Sequence, residues 1–133
     1  MQPGLTKLVH FTGDRELAVS VLKNDGTVVH RWQTDWFSLW PDADHLSFVM
    51  QPKTRPGTMV HGAEILPDGD LVFNFEYLGM IRLDPCGKVL WRLPYQSHHS
   101  VFIDDQGFIW TGVNKVRRND SLQQGLHEPY YVE

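Results

Sequence analysis

The sequence predicts an all-β fold made of repeated antiparallel hairpins. Four glycine-containing turns punctuate the 133 residues, and short runs of Val, Ile, Leu, Phe and Trp flank each turn. Glycine suits these turns because tight hairpins need a positive φ angle, which glycine adopts without steric cost. Apolar residues occupy alternate positions from Val89 to Leu93, which is the period of a strand, and no run shows the 3.6-residue period of a helix. The turn glycines are Gly26, Gly69, Gly87 and Gly107.

The hairpins are of two kinds that alternate along the chain, which indicates a repeat. One kind begins at His61 and again at His99, and in both cases a glycine follows eight positions later. The other kind covers 83–92 and has a counterpart at 22–32. The histidine hairpins recur after 38 residues, close to the period of about 40 residues of a four-stranded propeller blade. We therefore expect a partial β-propeller of two to three four-stranded antiparallel blades, with an ordinary β-sandwich as the alternative.

The repeat divides the chain into blade elements and one insertion. The blade elements cover about 15–32, 61–93 and 99–113 of a single partial propeller domain over 1–133, and an aromatic insertion covers 33–60. A closed propeller takes about 4–8 blades, more than this chain holds. We therefore expect the remaining blades, or identical chains, to complete the ring.

The aromatic insertion is a candidate binding segment. It contains Trp36 and Trp40, and long connections in compact domains often carry function. In one interpretation these two indoles line a ligand pocket and bind substrate. In the other, they only cover the edge of a blade.

Composition and spacing exclude several classes of function. A net charge of −4 without a dense basic run argues against nucleic-acid binding. No apolar run reaches the roughly 18–20 residues of a membrane helix, and the first residues do not have the pattern of a signal peptide. Cys86 is the single cysteine, so no internal disulfide forms. We expect no metal site and no cofactor, because zinc-ligand spacing, a complete calcium loop and a dinucleotide fingerprint are all missing.

The histidines are the candidate catalytic residues. His61 and His99 begin equivalent strands, and the innermost strands of a propeller line its channel, so we expect the two side chains to converge. Imidazoles there can bind an oxyanion, transfer protons or act as nucleophiles. The alternative is that both histidines only close their blades by hydrogen bonding to the backbone. His98 is a candidate substrate-binding residue, or a structural one because it points to the other side of its strand.

The order of the motifs resembles that of the bacterial arylsulfotransferases. The segment Leu-Pro-Asp-Gly-Asp-Leu at 66–71 is followed by Val-Leu-Trp-Arg-Leu at 89–93 and then by His98-His99, within a match over about 15–115. The resemblance implies an exported six-bladed propeller that moves a sulfuryl group between phenols, with an aryl sulfate or a phenol as substrate. It also implies that a channel histidine takes the group covalently. By motif position His61 and His99 match the family's inner-strand histidines.

Two glutamates distinguish this chain from the pattern that the resemblance implies. The family binds the sulfate oxygens with an asparagine and an arginine, whereas Glu64 and Glu76 lie in the corresponding stretches here. A carboxylate repels an anion nearby, so we expect it to disfavour sulfate in this blade. The alternative function is a non-catalytic propeller module that binds a ligand or a protein partner.

Overall fold

The protein is described by a computed structural model over residues 4–12 and 15–114. Within these residues the chain forms nine strands and one short helix. The helix is α1 (Trp36–Leu39), and the strands are β1 (Leu5–Phe11), β2 (Leu17–Lys23), β3 (Val28–Gln33), β4 (Val60–Ile65), β5 (Leu71–Phe75), β6 (Gly79–Leu83), β7 (Val89–Leu93), β8 (Gln96–Ile103) and β9 (Ile109–Asn114). None of the described helical residues forms a segment long and apolar enough to cross a membrane.

The strands form three antiparallel sheets in which neighbours in sequence are neighbours in space. The orders are β1-β2-β3, β4-β5-β6-β7 and β8-β9, so the all-β prediction is confirmed. The central sheet has the four strands expected of a blade, whereas the other two sheets have three and two strands within the described residues; a propeller remains a proposal. None of the described sheets closes on itself.

The two histidine hairpins have the turn geometry that their sequences predict. Gly69 and Gly107 have φ angles of 91° and 86°, in the region that glycine adopts at no steric cost. The amide of Gly69 donates to the carbonyl of Leu66 at 2.9 Å, and the amide of Gly107 donates to that of Asp104 at 3.0 Å. The two turns are therefore built in the same way, and they end β4 and β8 at equivalent points.

The first sheet begins earlier than the sequence predicts. The predicted element starts at about residue 15, whereas β1 already pairs with β2 in unbroken register from Leu5 to Phe11. The connection between β1 and β2 carries Arg15 at a φ of 61°. A non-glycine residue in this conformation is uncommon, so an arginine occupies here the left-handed position that Gly26, Gly69, Gly87 and Gly107 occupy in their turns.

The insertion packs into the hydrophobic core instead of forming a free loop. Trp36 and Trp40 are 3% and 5% exposed, and their rings stack with centroids 5.4 Å apart. Trp36 also meets the ring of Phe75 edge-on at 5.2 Å. Asp35 caps α1 through the amide of Ser38 and pairs with Arg55, whose Nε lies 2.9 Å from an Asp35 oxygen. The insertion is therefore anchored against the central sheet.

The first strands of the three sheets lie side by side. Lys7 of β1 contacts β4, where its ammonium group donates to the carbonyl of Ala63. On the other side of β4, Gly62 lies so close to β8 that a Cβ atom there would stand 2.8 Å from the Val101 nitrogen and closer still to the His99 oxygen. Only a residue without a side chain permits this approach. The order across this face is therefore β1, β4, β8.

Candidate functional site

Three residues of the first strands lie the same number of positions before the turn of their hairpin. Each hairpin has a last residue pair before its turn, and counting back four residues from that pair gives Lys7, His61 and His99. The last pairs are Phe11↔Leu17, Ile65↔Leu71 and Ile103↔Ile109. The equivalence of the two histidines follows the sequence, whereas Lys7 is found only from the register of β1.

The structure brings His61 and His99 together. Their ring centroids are 4.8 Å apart, with the planes inclined by 60°. The side chain of His61 is 40% exposed, and both residues line an open cleft of about 480 Å³. The two imidazoles are therefore accessible to a ligand and near enough to act on one group.

Irregularities in both strands aim the histidines at each other. The β4–β5 register shifts between Val60 and Ala63, and the β8–β9 register shifts between His98 and Val101. Such bulges bend a strand and re-aim its side chains. His99 itself has a φ of 60°, a conformation that is uncommon outside glycine.

Asn74 of β5 holds the bulge at His99 in place. This side chain is fully buried, and its Nδ2 donates to the His99 carbonyl at 3.2 Å and to Thr111 Oγ1 at 2.9 Å. A buried amide is costly unless it is hydrogen-bonded. The central sheet thereby fixes the backbone that carries His99.

Glu76 contacts the Nδ1 atom of His61. The distance from Glu76 Oε1 to His61 Nδ1 is 3.5 Å, within ion-pair range. An ionised carboxylate is an acceptor only, so this contact favours a proton on Nδ1 and leaves the Nε2 lone pair free. The position of Glu76 is set by its own amide, which donates to the Met59 carbonyl at 3.0 Å.

His98 lies in the interior and does not line the cleft. It is 2% exposed, and its ring is 4.4 Å from that of His99 and 5.0 Å from that of Tyr77. Burial lowers the pKa of His98 below its usual value, and the neighbouring His99 and His61 lower it further. His98 is therefore a buried neutral imidazole that packs against the ring of His99 from the interior, as is expected of a structural residue.

Lys7 and Glu64 supply the charges of the cleft. Both line it, and Lys7 Nζ lies 2.9 Å from Glu64 Oε1. The two side chains are 21% and 40% exposed. Glu64 can be predicted from the sequence, whereas Lys7 cannot, because the register of β1 carries the only signal for Lys7.

The remaining candidates lie outside the cleft. Trp36 and Trp40 are core residues, and neither lines it. In residues 4–12 and 15–114, no three His, Cys, Asp or Glu side chains converge to hold a metal ion.

Comparisons with known proteins do not identify a family for this chain. No family model matches the chain, and no curated protein matches it. Among solved structures, the chain is similar to a crystal structure of a protein of unknown function from Bacteroides caccae, with 14% identity and a TM-score of 0.38. The match covers 85% of this chain and 40% of the other, so the matched region spans less than half the length of that protein.

Proposed function

We propose that the chain forms part of a propeller enzyme that transfers a sulfuryl group between phenolic compounds through an imidazole. The observation that carries this proposal is the pairing of His61 and His99 at 4.8 Å, from equivalent places in neighbouring first strands. Histidine is a competent nucleophile and proton carrier near neutral pH. We choose a sulfuryl group as the transferred group because the order of the sequence motifs resembles that of the arylsulfotransferases.

The succession of sheets supports the propeller architecture. Each described sheet is antiparallel and pairs its strands in chain order, and the first strand β4 contacts both β1 and β8. In a propeller, the first strands of the blades surround a central channel. The histidines then belong to a channel that further blades, or identical chains, complete.

His61 is the nucleophile in this proposal, because Glu76 contacts its Nδ1 and not that of His99. The Nε2 atom attacks the sulfur of an aryl sulfate, so that an N–S bond forms as the S–O bond to the ring breaks. The electron pair leaves with the phenolate oxygen, which takes a proton from His99. Glu76 stabilises the positive charge that develops on the imidazole of His61.

The second half of the reaction reverses these roles. The oxygen of a second phenol attacks the sulfur while its proton passes to His99, which is neutral after the first step. The N–S bond breaks and its electron pair returns to Nε2 of His61. The enzyme is regenerated, and the sulfuryl group has moved from one phenol to another.

The two glutamates are compatible with an anionic substrate because each has a partner of opposite charge or a proton donor. Glu64 pairs with Lys7 at 2.9 Å, and Glu76 contacts His61 at 3.5 Å. Opposite charges at such distances attract and offset the repulsion of an incoming anion. The sequence alone predicts that these carboxylates disfavour sulfate, because it shows their charges but not the partners that offset those charges.

The experiment is an assay of sulfuryl transfer from an aryl sulfate to a phenol. We expect His61→Asn to abolish transfer, and Glu76→Gln and His99→Asn to lower kcat by about 10²-fold or more, the range of general acid–base catalysis. His10→Asn is the matched control, since His10 bonds Ser20 within the first sheet. No transfer by the unmodified protein, or equal rates in the His61 and His99 variants and the parent, would reject the proposal.

The insertion supports a second candidate, a non-catalytic module that binds an apolar ligand or partner. Phe48 and Val49 are 77% and 91% exposed, and Gln96 Nε2 donates to Met50 Sδ at 3.5 Å, which places this tip beside the start of β8. Replacing Phe48 and Val49 with serine should then remove binding of phenyl sulfate without changing Tm. Turnover of that ester by the unmodified protein would reject this candidate.

A further inference from the structure

Lys7 has no role in the reaction described above, yet it lies as many positions before its turn as His61 and His99 lie before theirs. Its side chain reaches across from β1 to β4, where the ammonium donates to the Ala63 carbonyl and lies 2.9 Å from Glu64 Oε1. The same cleft is lined by His61 and His99. One wall therefore carries an ammonium group and two imidazoles, which is a set of donors suited to a tetrahedral oxyanion.

Glu64 is the group that neutralises Lys7 in the absence of a ligand. Its side chain is 40% exposed, so it can leave the ammonium and become hydrated at little cost. Lys7 is more enclosed, at 21% exposed, and is also held by the Ala63 carbonyl. Of the two partners, the carboxylate is therefore the one that can move away.

We propose that Lys7 is a substrate-binding residue for the sulfate group of an aryl sulfate, and that Glu64 is an internal counter-anion which the substrate displaces. This inference rests on the proposed function for the identity of the anion. A monoanionic ester replaces one carboxylate on Lys7, so the charge paired with the ammonium is unchanged on binding. A neutral phenol leaves the Lys7–Glu64 pair intact, so the same pair distinguishes the sulfated donor from the unsulfated acceptor.

Binding of inorganic sulfate tests the exchange without requiring turnover. The imidazole C–H signals of His61 and His99 are followed by NMR at fixed pH and ionic strength while sulfate is added. We expect Lys7→Met to weaken binding about ten-fold, as for the loss of a contact to a charged donor. Glu64→Gln should tighten binding about three-fold, because the competing pair is a partly exposed one.

Two further variants keep the test decisive. Lys7→Arg retains the positive charge and should bind sulfate within about three-fold of the parent, which separates the role of the charge from any effect of the substitution on folding. Lys88→Met removes an exposed charge in the β6–β7 turn and should leave binding unchanged. Equal affinity of the parent and Lys7→Met, or weaker binding by Glu64→Gln, would overturn the inference.

The outcomes also separate this inference from the proposed function. Sulfate binding that depends on Lys7 and Glu64, in a protein without transfer activity, supports the anion site and rejects the transfer reaction. If the protein transfers sulfuryl groups but its sulfate affinity is unchanged by Lys7→Met and by Glu64→Gln, the result supports the reaction and rejects the role of Lys7.

Discussion

Substitution of Gly62 by alanine tests whether the close approach of β4 to β8 assembles the histidine pair. The added Cβ would stand 2.8 Å from the Val101 nitrogen, 3.0 Å from the Ser100 carbonyl carbon and closer still to the His99 oxygen. All three atoms belong to the backbone of β8, so no side-chain rotation relieves the overlap. The strands must instead move apart by on the order of 1 Å to restore ordinary contact distances.

The cost follows from two contributions. Overpacking of this kind costs about 1–3 kcal/mol, and weakening the Asn74 hydrogen bond to the His99 carbonyl adds about 1 kcal/mol. We therefore expect the free energy of unfolding to fall by about 3 kcal/mol, which for a chain of this size lowers Tm by about 12 °C. The 4.8 Å separation of the His61 and His99 rings should increase as well.

Thermal unfolding followed by circular dichroism measures the stability, and the sulfate titration measures the site. Gly112→Ala is the matched control on β9, because its Cβ would be no nearer than 3.5 Å to His98, an ordinary contact. That variant should differ from the parent by less than about 1 kcal/mol. A Gly62→Ala protein with the Tm of the parent and unchanged sulfate affinity would refute the inferred packing of β4 on β8.

Three further predictions concern residues around the site and the core. Burial, together with His99 and His61, lowers the pKa of His98 in the folded protein, so the unfolded chain binds the proton more tightly. The free energy of unfolding should therefore fall as the pH drops below about 6.5. Denaturant titrations of His98→Asn should show a weaker dependence of this free energy on pH. Burial alone would raise the pKa of Asp35, but hydrogen bonds from Arg55 and Ser38 hold it below its usual value; this stabilisation is present above the usual aspartate pKa and lost as the pH falls through the folded one. Asp35→Asn should cost about 1 kcal/mol and Asp35→Ala about 2, because the second also removes the cap of α1; equal losses measured by chemical denaturation would contradict the capping role. Trp36→Ala should cost about 3–5 kcal/mol by the same measurement, as expected for a buried aromatic ring, and a loss below 1 kcal/mol would contradict its place in the core.

The hairpins around Gly69 and Gly107 could be predicted from the sequence because their signals are local. A turn residue, a glycine and alternating apolar positions all lie within a dozen residues, and the structure has the same turn at both places. The first strand could not be predicted in the same way, because Arg15 and not a glycine takes the left-handed position of its turn, and Gly13 is not preceded by an aspartate within three positions, as the glycines of the other turns are.

The parts that the sequence could not predict depend on contacts between distant segments. The indoles of Trp36 and Trp40 look the same in sequence whether they line a pocket or fill a core, and their burial against Phe75 decides between the two. Lys7 joins the cleft only because β1 lies against β4, 56 residues away in the chain. Local patterns determine strands and turns, whereas the composition of a site also depends on which strands become neighbours.

The unequal sizes of the sheets have a consequence for hydrogen exchange. His61 lies in the first strand of a four-stranded sheet whose strand β5 is buried throughout, whereas His99 belongs to a hairpin that has two strands within the described residues and exposes Phe102, Phe108 and Trp110. A two-stranded hairpin is marginally stable by itself, so amides of β8 and β9 should exchange through local opening at lower free energy than those of β5. Each such opening carries His99 away from His61 while the core stays folded. The lifetime of the assembled histidine pair is thus set by the docking of one hairpin and not by the stability of the whole protein.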